Sequence, residues 1–276
     1  MATPGQIEPL GPGLARLLAP NPSPYTGDGT WVHLIGSDAL VVIDPGPDDP
    51  AHLQALSAAI AGRPVEAILV THTHRDHSPA AAPLSALTGA PVWGCAPLVV
   101  PGEQEAGFDA TYAPDRILTD GETITLAGAI IAAVHTPGHT SNHLCFAWEH
   151  RLFSGDHVMG WSTTVVIPPD GHMGAYMASL AKLQQRPETI YHPAHGEPIA
   201  DPQRLLRGLL THRVQRERQL QRLLGEAPAS LEELTQRAYP ALDARLVPAA
   251  RATALAHLIF LAERGAVTCV EGLWKV

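Results

Sequence analysis

Val65-Glu-Ala-Ile-Leu-Val70 runs straight into Thr71-His-Thr-His-Arg-Asp-His77. The first six residues read as a buried strand, short, apolar and rich in β-branched residues. The next seven carry four metal-type ligands, His72, His74, Asp76 and His77. A loop leaving a strand can turn alternate side chains to one side, so His72 and His74 share a direction. Asp76 and His77, beyond the bend, can reach a second centre. Neutral imidazoles and carboxylates suit Zn²⁺ and similar divalent ions. A single catalytic ion keeps one position open, so four ligands on one loop exceed its needs and point to two ions.

Three other stretches could bring further ligands to this loop. They are His135-Thr-Pro-Gly-His139-Thr-Ser-Asn142, Phe153-Ser-Gly-Asp156-His157 and Tyr191-His-Pro-Ala-His195-Gly196. Each follows an apolar, strand-like run, and strand-end loops are where functional residues gather. Alone, each is weak. With the first loop they offer three histidines for one ion, an aspartate and two histidines for another, and a spare aspartate to bridge.

The chain around these loops has 276 residues, room for about two domains at roughly 150 residues each. It is 45% hydrophobic and 16% charged, enough for a sizeable core and unlike a disordered chain. Fifteen histidines stand against only two lysines, Lys182 and Lys275. The net charge of −9 argues against a general polyanion binder. Cys95, Cys145 and Cys269 are odd in number and far apart, which implies no disulfide framework and a reducing, cytoplasmic setting. No run of apolar residues reads as a membrane span, and the first twenty residues do not read as a signal peptide.

Up to about residue 205, strands and helices alternate. Thr30–Gly36 and Ala39–Ile43 read as a hairpin, and Asp49–Ala61 as a helix capped by Asp48 or Asp49. Ser78–Leu87 is Ala-rich and helix-like, though Pro79 and Pro83 limit it to short turns. Beyond that point the pattern is Arg204–Leu224 (a long amphipathic helix), a second helix capped by Ser230 and Glu233, a third over Pro248–Arg264, and a hairpin across Glu271-Gly272. This is the element order of a winged helix. Residues 206–276 hold 10 Lys/Arg and 7 Asp/Glu, a balance of +3 that leaves −12 on residues 1–205.

In order and context, Thr71-His-Thr-His-Arg-Asp-His77, His139, Asp156 and His195 resemble the metallo-β-lactamase superfamily over roughly residues 10–200. The resemblance implies an α/β fold, an αββα sandwich, in a catalytic domain at residues 1–205, followed by a winged-helix-like domain at 206–276. It implies two Zn²⁺ per chain, or another divalent ion. His72, His74 and His139 would bind the first ion and Asp76, His77 and His195 the second, with Asp156 bridging. Asp44 of Ile43-Asp-Pro-Gly46 would support the metal loop, and Asp76 would also serve catalysis. True β-lactamases usually carry Cys where Asp156 stands, so the resemblance argues against β-lactam hydrolysis.

A narrower resemblance is to the β-lactamase-like protein 2 group. It rests on His135-Thr-Pro-Gly-His139, Phe153-Ser-Gly-Asp156-His157 and the tail around His212-Arg-Val-Gln-Arg-Glu217. That group includes an endoribonuclease acting on single-stranded RNA, and related chains include polyketide thioesterases. This chain departs from it at Trp31-Val32-His33, where Asn-Thr-Tyr is common.

Paired ions would lower the pKa of a shared water and supply hydroxide at neutral pH. Phosphodiester and thioester hydrolysis both suit such a core. The group resemblance and the +3 tail favour single-stranded RNA, and the second expectation is a thioesterase or another small-molecule ester hydrolase resembling glyoxalase II. A non-catalytic nucleic-acid binder is a third, disfavoured by the full ligand set. His157 reads as a supporting or structural residue, with proton donation to a leaving group as the alternative. His143 is either a residue that orients a ligand or a structural one, and His192 is structural. Ser162-Thr163-Thr164 is a candidate pocket lining, and Ser154 lacks a triad.

Overall fold

The computed structural model describes residues 2–98 and 107–276. Contacts within the chain divide it into two units. One comprises Met1–His135, Asn142–Ser162 and Pro187–Ala200, and the other Thr136–Ser141, Thr163–Arg186 and Asp201–Val276.

The first unit is built on two sheets. Among the described residues, the larger has seven strands in chain order: β1 (Ile7–Gly11), β2 (Leu14–Leu18), β3 (Trp31–Ile35), β4 (Leu40–Ile43), β5 (Val65–Val70), β6 (Val92–Gly94) and β7 (Arg116–Ile117). β1 to β4 pair antiparallel and β4 to β7 parallel. The parallel crossovers carry α1 (Pro50–Ile60) and α2 (Ala81–Thr88). β4 and β5 are buried almost throughout, so apart from exposed Glu66 they read as continuous apolar runs rather than alternating ones. The smaller sheet is ordered β12-β11-β10-β9-β8, from β8 (Thr123–Leu126), β9 (Ala129–His135), β10 (Leu144–Trp148), β11 (Arg151–Gly155) and β12 (Ile190–Pro193). The sheets share one core, in which Leu17, Leu34 and Ile68 join Ile131, Phe146 and Phe153.

Several expectations hold closely. β5 has the expected limits, and the β3–β4 hairpin forms. Asp49 caps α1 by accepting from the His52 amide at 2.7 Å. The three named cysteines are free thiols. The restriction of Ser78–Leu87 to turns is corrected, because α2 runs eight residues with Pro83 inside it. Pro83 is the third residue of the helix, where an amide N–H has no intrahelical partner to lose.

The other unit contains α3 (Met173–Leu183), α4 (Pro202–Glu226), α5 (Leu231–Ala238), α6 (Val247–Glu263) and a small sheet ordered β13-β15-β14. These strands are β13 (Ala229–Ser230), β14 (Thr268–Val270) and β15 (Leu273–Lys275). Ser230 and Glu233 form the expected capping box. Leu220, Leu224, Leu234, Leu258, Leu261 and Trp274 make the core of this winged helix. By length and composition alone Ala244–Glu263 could cross a membrane, but its Leu258 and Leu261 belong to that core.

Candidate metal centre

β5 ends where the ligand loop begins, and Asp44 at the end of β4 holds that loop in place. Its carboxylate accepts the Thr71 amide at 2.8 Å, the Thr71 hydroxyl at 2.7 Å and His77 Nδ1 at 3.0 Å. Asp44 itself adopts φ 49°, a left-handed conformation that Asp tolerates better than most residues. The loop is braced from its other side, because the Asp109 amide donates to the Thr73 carbonyl and the Arg75 amide to the Gly107 carbonyl.

Two donor sets form within the first unit. In one, donor atoms of His72, His74 and Asp156 lie within 4.8 Å of one another. In the other, Asp76, His77 and His195 do the same. Asp156 faces both: Oδ1 is 3.1 Å from His195 Nε2 and 3.4 Å from His77 Nε2, while Oδ2 is 4.0 Å from His72 Nε2. His139 lies in the other unit, in the turn after β9, where its Nδ1 donates to the Val165 carbonyl at 2.7 Å.

The second set has the chemistry of a cation site. His77 Nδ1 is engaged by Asp44, and its buried Nε2 makes no hydrogen bond although it stands 3.3 Å from Asp76. A nitrogen aimed at two carboxylates and a second imidazole, without a hydrogen bond in line, fits a metal ion among them. His195 donates from Nδ1 to the Gly29 carbonyl at 3.0 Å, which presents Nε2 to the same point.

Electrostatics agree with that fit. Burial alone would lower His195, but Asp156 and Asp76 outweigh it and raise it to about 10. His77 is likewise raised well above its ordinary value, against burial, by Asp76, Asp156 and Asp44. Both histidines therefore carry protons at neutral pH in the metal-free protein, and an ion must displace them. Metal uptake at pH 7 should release on the order of two protons from this set, and apparent affinity should rise with pH until about 10. Calorimetry in buffers of different ionisation enthalpy reads this directly, and proton-neutral, pH-independent uptake would contradict it.

The supporting residues sort clearly. His143 Nε2 accepts the Asp156 amide at 3.2 Å, so His143 positions the bridging candidate from behind. Gly155, just before Asp156, has φ 48°, and a Cβ there would lie 2.7 Å from His143 Nε2 and 2.9 Å from Thr71 Oγ1. His157 is buried with its ring beside His143. His192 stacks on Phe153, and burial followed by Arg151 lowers it to about 4, a structural histidine as expected. His33, at the sequence departure Trp31-Val32-His33, packs on Phe153 and His192 and is kept neutral chiefly by burial. Ser154 donates to the Val158 carbonyl. Of the expected pocket lining Ser162-Thr163-Thr164, Thr164 is buried. The neighbouring Gly160 and half-exposed Trp161 line a cleft of about 220 Å³ with Asp28, Gly29 and Trp31. Trp31 is stacked under Arg16 at 3.7 Å, and Arg16 is ion-paired to Glu8 and Glu197.

The metallo-beta-lactamase superfamily model matches residues 25–195, and a beta-lactamase associated winged helix domain model matches residues 230–274. The chain belongs to the metallo-beta-lactamase superfamily. An atrochrysone carboxyl ACP thioesterase of Aspergillus chevalieri is 32% identical over 229 residues, 80% of this chain and 68% of that one. The chain spans about two thirds of the length of the curated relatives that it matches. The crystal structure of metallo-beta-lactamase family protein TTHA1429 from Thermus thermophilus aligns with a TM-score of 0.81 at 24% identity, covering 97% of this chain and 99% of that one. TTHA1623, solved in a di-iron-bound form, aligns with a TM-score of 0.50 at 32% identity, covering 75% and 96%. Members of this superfamily typically bind a metal pair, and this chain is a superfamily hydrolase with the α/β fold and C-terminal winged helix expected of it.

Proposed function

We propose that this chain is a binuclear metal-dependent thioesterase. What carries the reading is the pair of adjacent donor sets joined by Asp156, taken with relatives named as acyl carrier protein thioesterases. His72, His74 and His139 would hold the first ion and Asp76, His77 and His195 the second, with Asp156 available to both. His139 suits that role because its Nδ1 hydrogen bond to Val165 presents Nε2 as the coordinating nitrogen. Zinc is the proposed metal, with the iron of TTHA1623 as the alternative. Bound there, the ions supply Lewis-acid polarisation of a carbonyl and activation of water at neutral pH.

The residues do the rest. Asp76 and Asp156 orient the attacking water, and Asp76 is the group that accepts its proton. His143 and Asp44 hold the ligands from behind. The cleft beside Trp31 and Trp161 takes the acyl portion, since Gly29 and Gly196 on its lining flank contacts of His195. Within the superfamily we place the chain nearest the β-lactamase-like protein 2 group, on the His135–His139 and Phe153–His157 motifs and the winged-helix tail.

RNA, the first expectation from the sequence, becomes the second reading. It keeps one specific support: Arg204, Arg207, Arg218 and Arg222 are exposed on α4, and the intervening acid, Glu217, is buried. Turnover of an acyl thioester and of single-stranded RNA by the same zinc-loaded preparation separates the two. The thioester should be hydrolysed, activity should vanish with chelator, and zinc should restore it. RNA cleavage without thioester turnover, weakened by Arg218→Ala and Arg222→Ala and by rising salt, would reverse the order.

A further inference from the structure

Asp76 is gripped from outside the ligand loop. The Thr30 hydroxyl donates to Asp76 Oδ2 at 2.9 Å, across 46 residues of sequence. Thr30 is fully buried, at the start of β3. The direction of its proton is set by Asn21. Asn21 Oδ1 accepts the Thr30 amide at 3.0 Å, which turns the Asn21 NH₂ toward the Thr30 hydroxyl, 2.9 Å away. That hydroxyl oxygen already accepts from Asn21, so its own proton goes to the carboxylate.

The neighbouring residue grips the second ligand. The Gly29 carbonyl accepts from His195 Nδ1, and the Trp31 amide donates to the Ala194 carbonyl at 2.8 Å. Gly29 has φ 142°, and a Cβ there would fall 2.3 Å from the Ala19 carbonyl oxygen, so only glycine lets the loop pass this close. Two consecutive residues of one loop thus hold Asp76 and His195, whose facing atoms are 3.2 Å apart.

We propose that Thr30, oriented by Asn21, is a positioning residue that fixes the Asp76 carboxylate for the second metal and makes that site selectively dependent on the Asn21–Trp31 loop. This rests on the two-metal reading above. The hydroxyl occupies one lone pair of Oδ2 and so fixes the rotation of the carboxylate, and the same oxygen stands 3.3 Å from His77 Nε2 and 3.2 Å from His195 Nε2. Outer hydrogen bonds of this kind change metal affinity by about 10–100-fold.

The test is cobalt(II) titration of the chelator-stripped full chain, followed by the visible absorption of bound Co²⁺. Thr30→Val keeps the branched shape and removes the hydroxyl. It should weaken the second equivalent by about 10–100-fold, leave the first unchanged and alter the spectrum of the second alone. Thr30→Ser should restore wild-type binding and spectrum. Asn21→Ala keeps the hydroxyl but releases its orientation, and should weaken the second equivalent by a smaller factor. It also serves as the decisive variant if Thr30→Val does not fold. Wild-type affinity for both equivalents in Thr30→Val, or in Asn21→Ala where that variant stands in, would overturn the inference. Equal loss at both sites would overturn it too. A wild-type chain that takes up one Co²⁺ only would overturn the two-metal reading itself, and this inference with it, an outcome visible before any variant is made.

Discussion

Asp76→Ala should lower kcat/KM by about 10³-fold or more on any confirmed substrate while the protein still folds, within the range expected for loss of a group that handles the transferred proton. The geometry gives two reasons. Asp76 Oδ2 is 3.3 Å from His77 Nε2 and 3.2 Å from His195 Nε2, so its removal takes one of three donors from the second set. It also removes a carboxylate held well below the usual range: burial would raise it, but His77 and His195 win. A carboxylate that stays ionised is suited to orient water and to hold an ion at neutral pH. The substitution should therefore cut metal content from two equivalents toward one. Folding should survive because Asp76 is partly exposed and carries no backbone hydrogen bond of the kind that Asp44 makes. His157→Ala is the contrast, since the His157 ring lies behind His143 and should cost less than about tenfold. Near-wild-type turnover by Asp76→Ala, measured beside elemental analysis, would sink the proposed mechanism.

The ligand loop was legible because its signal is local. Val65–Val70 is apolar enough to be a strand in isolation, and four ligands follow it without interruption. The capping residues Asp49 and Ser230 were legible for the same reason. What escaped depends on partners distant in sequence. The β1–β2 hairpin, with Pro9, Gly11 and Gly13, carries breaker residues that read as loop, yet Pro9 sits on an edge strand where the sheet tolerates it. Thr30 looked like any polar residue opening a strand, and its meaning appears only when Asp76 arrives beside it. Arg16 was hidden likewise, because its burial under Glu8, Glu197 and Trp31 is a tertiary fact. His143 could have been suspected from Ser141-Asn142-His143, but its acceptance of the Asp156 amide depends on how β10 and β11 pair. Substrate was the least legible of all. One metal core serves phosphodiesters and thioesters alike, so the residues that choose between them lie outside the ligand set.

Asp44→Ala should be the most destabilising single change at the site, at about 3–5 kcal/mol, because it strands buried donors rather than merely deleting contacts. Asp44 is 2% exposed and receives three hydrogen bonds, from the Thr71 amide, the Thr71 hydroxyl and His77 Nδ1. Thr71 and His77 are fully buried, so no water replaces the lost acceptor. The left-handed backbone at Asp44 adds to the cost, since Ala tolerates φ 49° less well than Asp. At roughly 2–4 °C per kcal/mol for a domain of this size, the melting temperature of the metal-free chain should fall by about 10 °C. Metal binding should suffer independently of stability. Thr71 precedes His72 of one donor set and His77 belongs to the other, so one carboxylate holds both sets in register. Asp44→Asn separates the two effects. Asn keeps the left-handed backbone and one acceptor oxygen, but its NH₂ must face one of the former donors. It should recover part of the melting temperature while the second metal equivalent stays weak. A melting curve of Asp44→Ala within about 1 kcal/mol of wild type, with both metal equivalents retained, would show that the loop is held by its other braces, at Gly107 and Asp109, and not by Asp44.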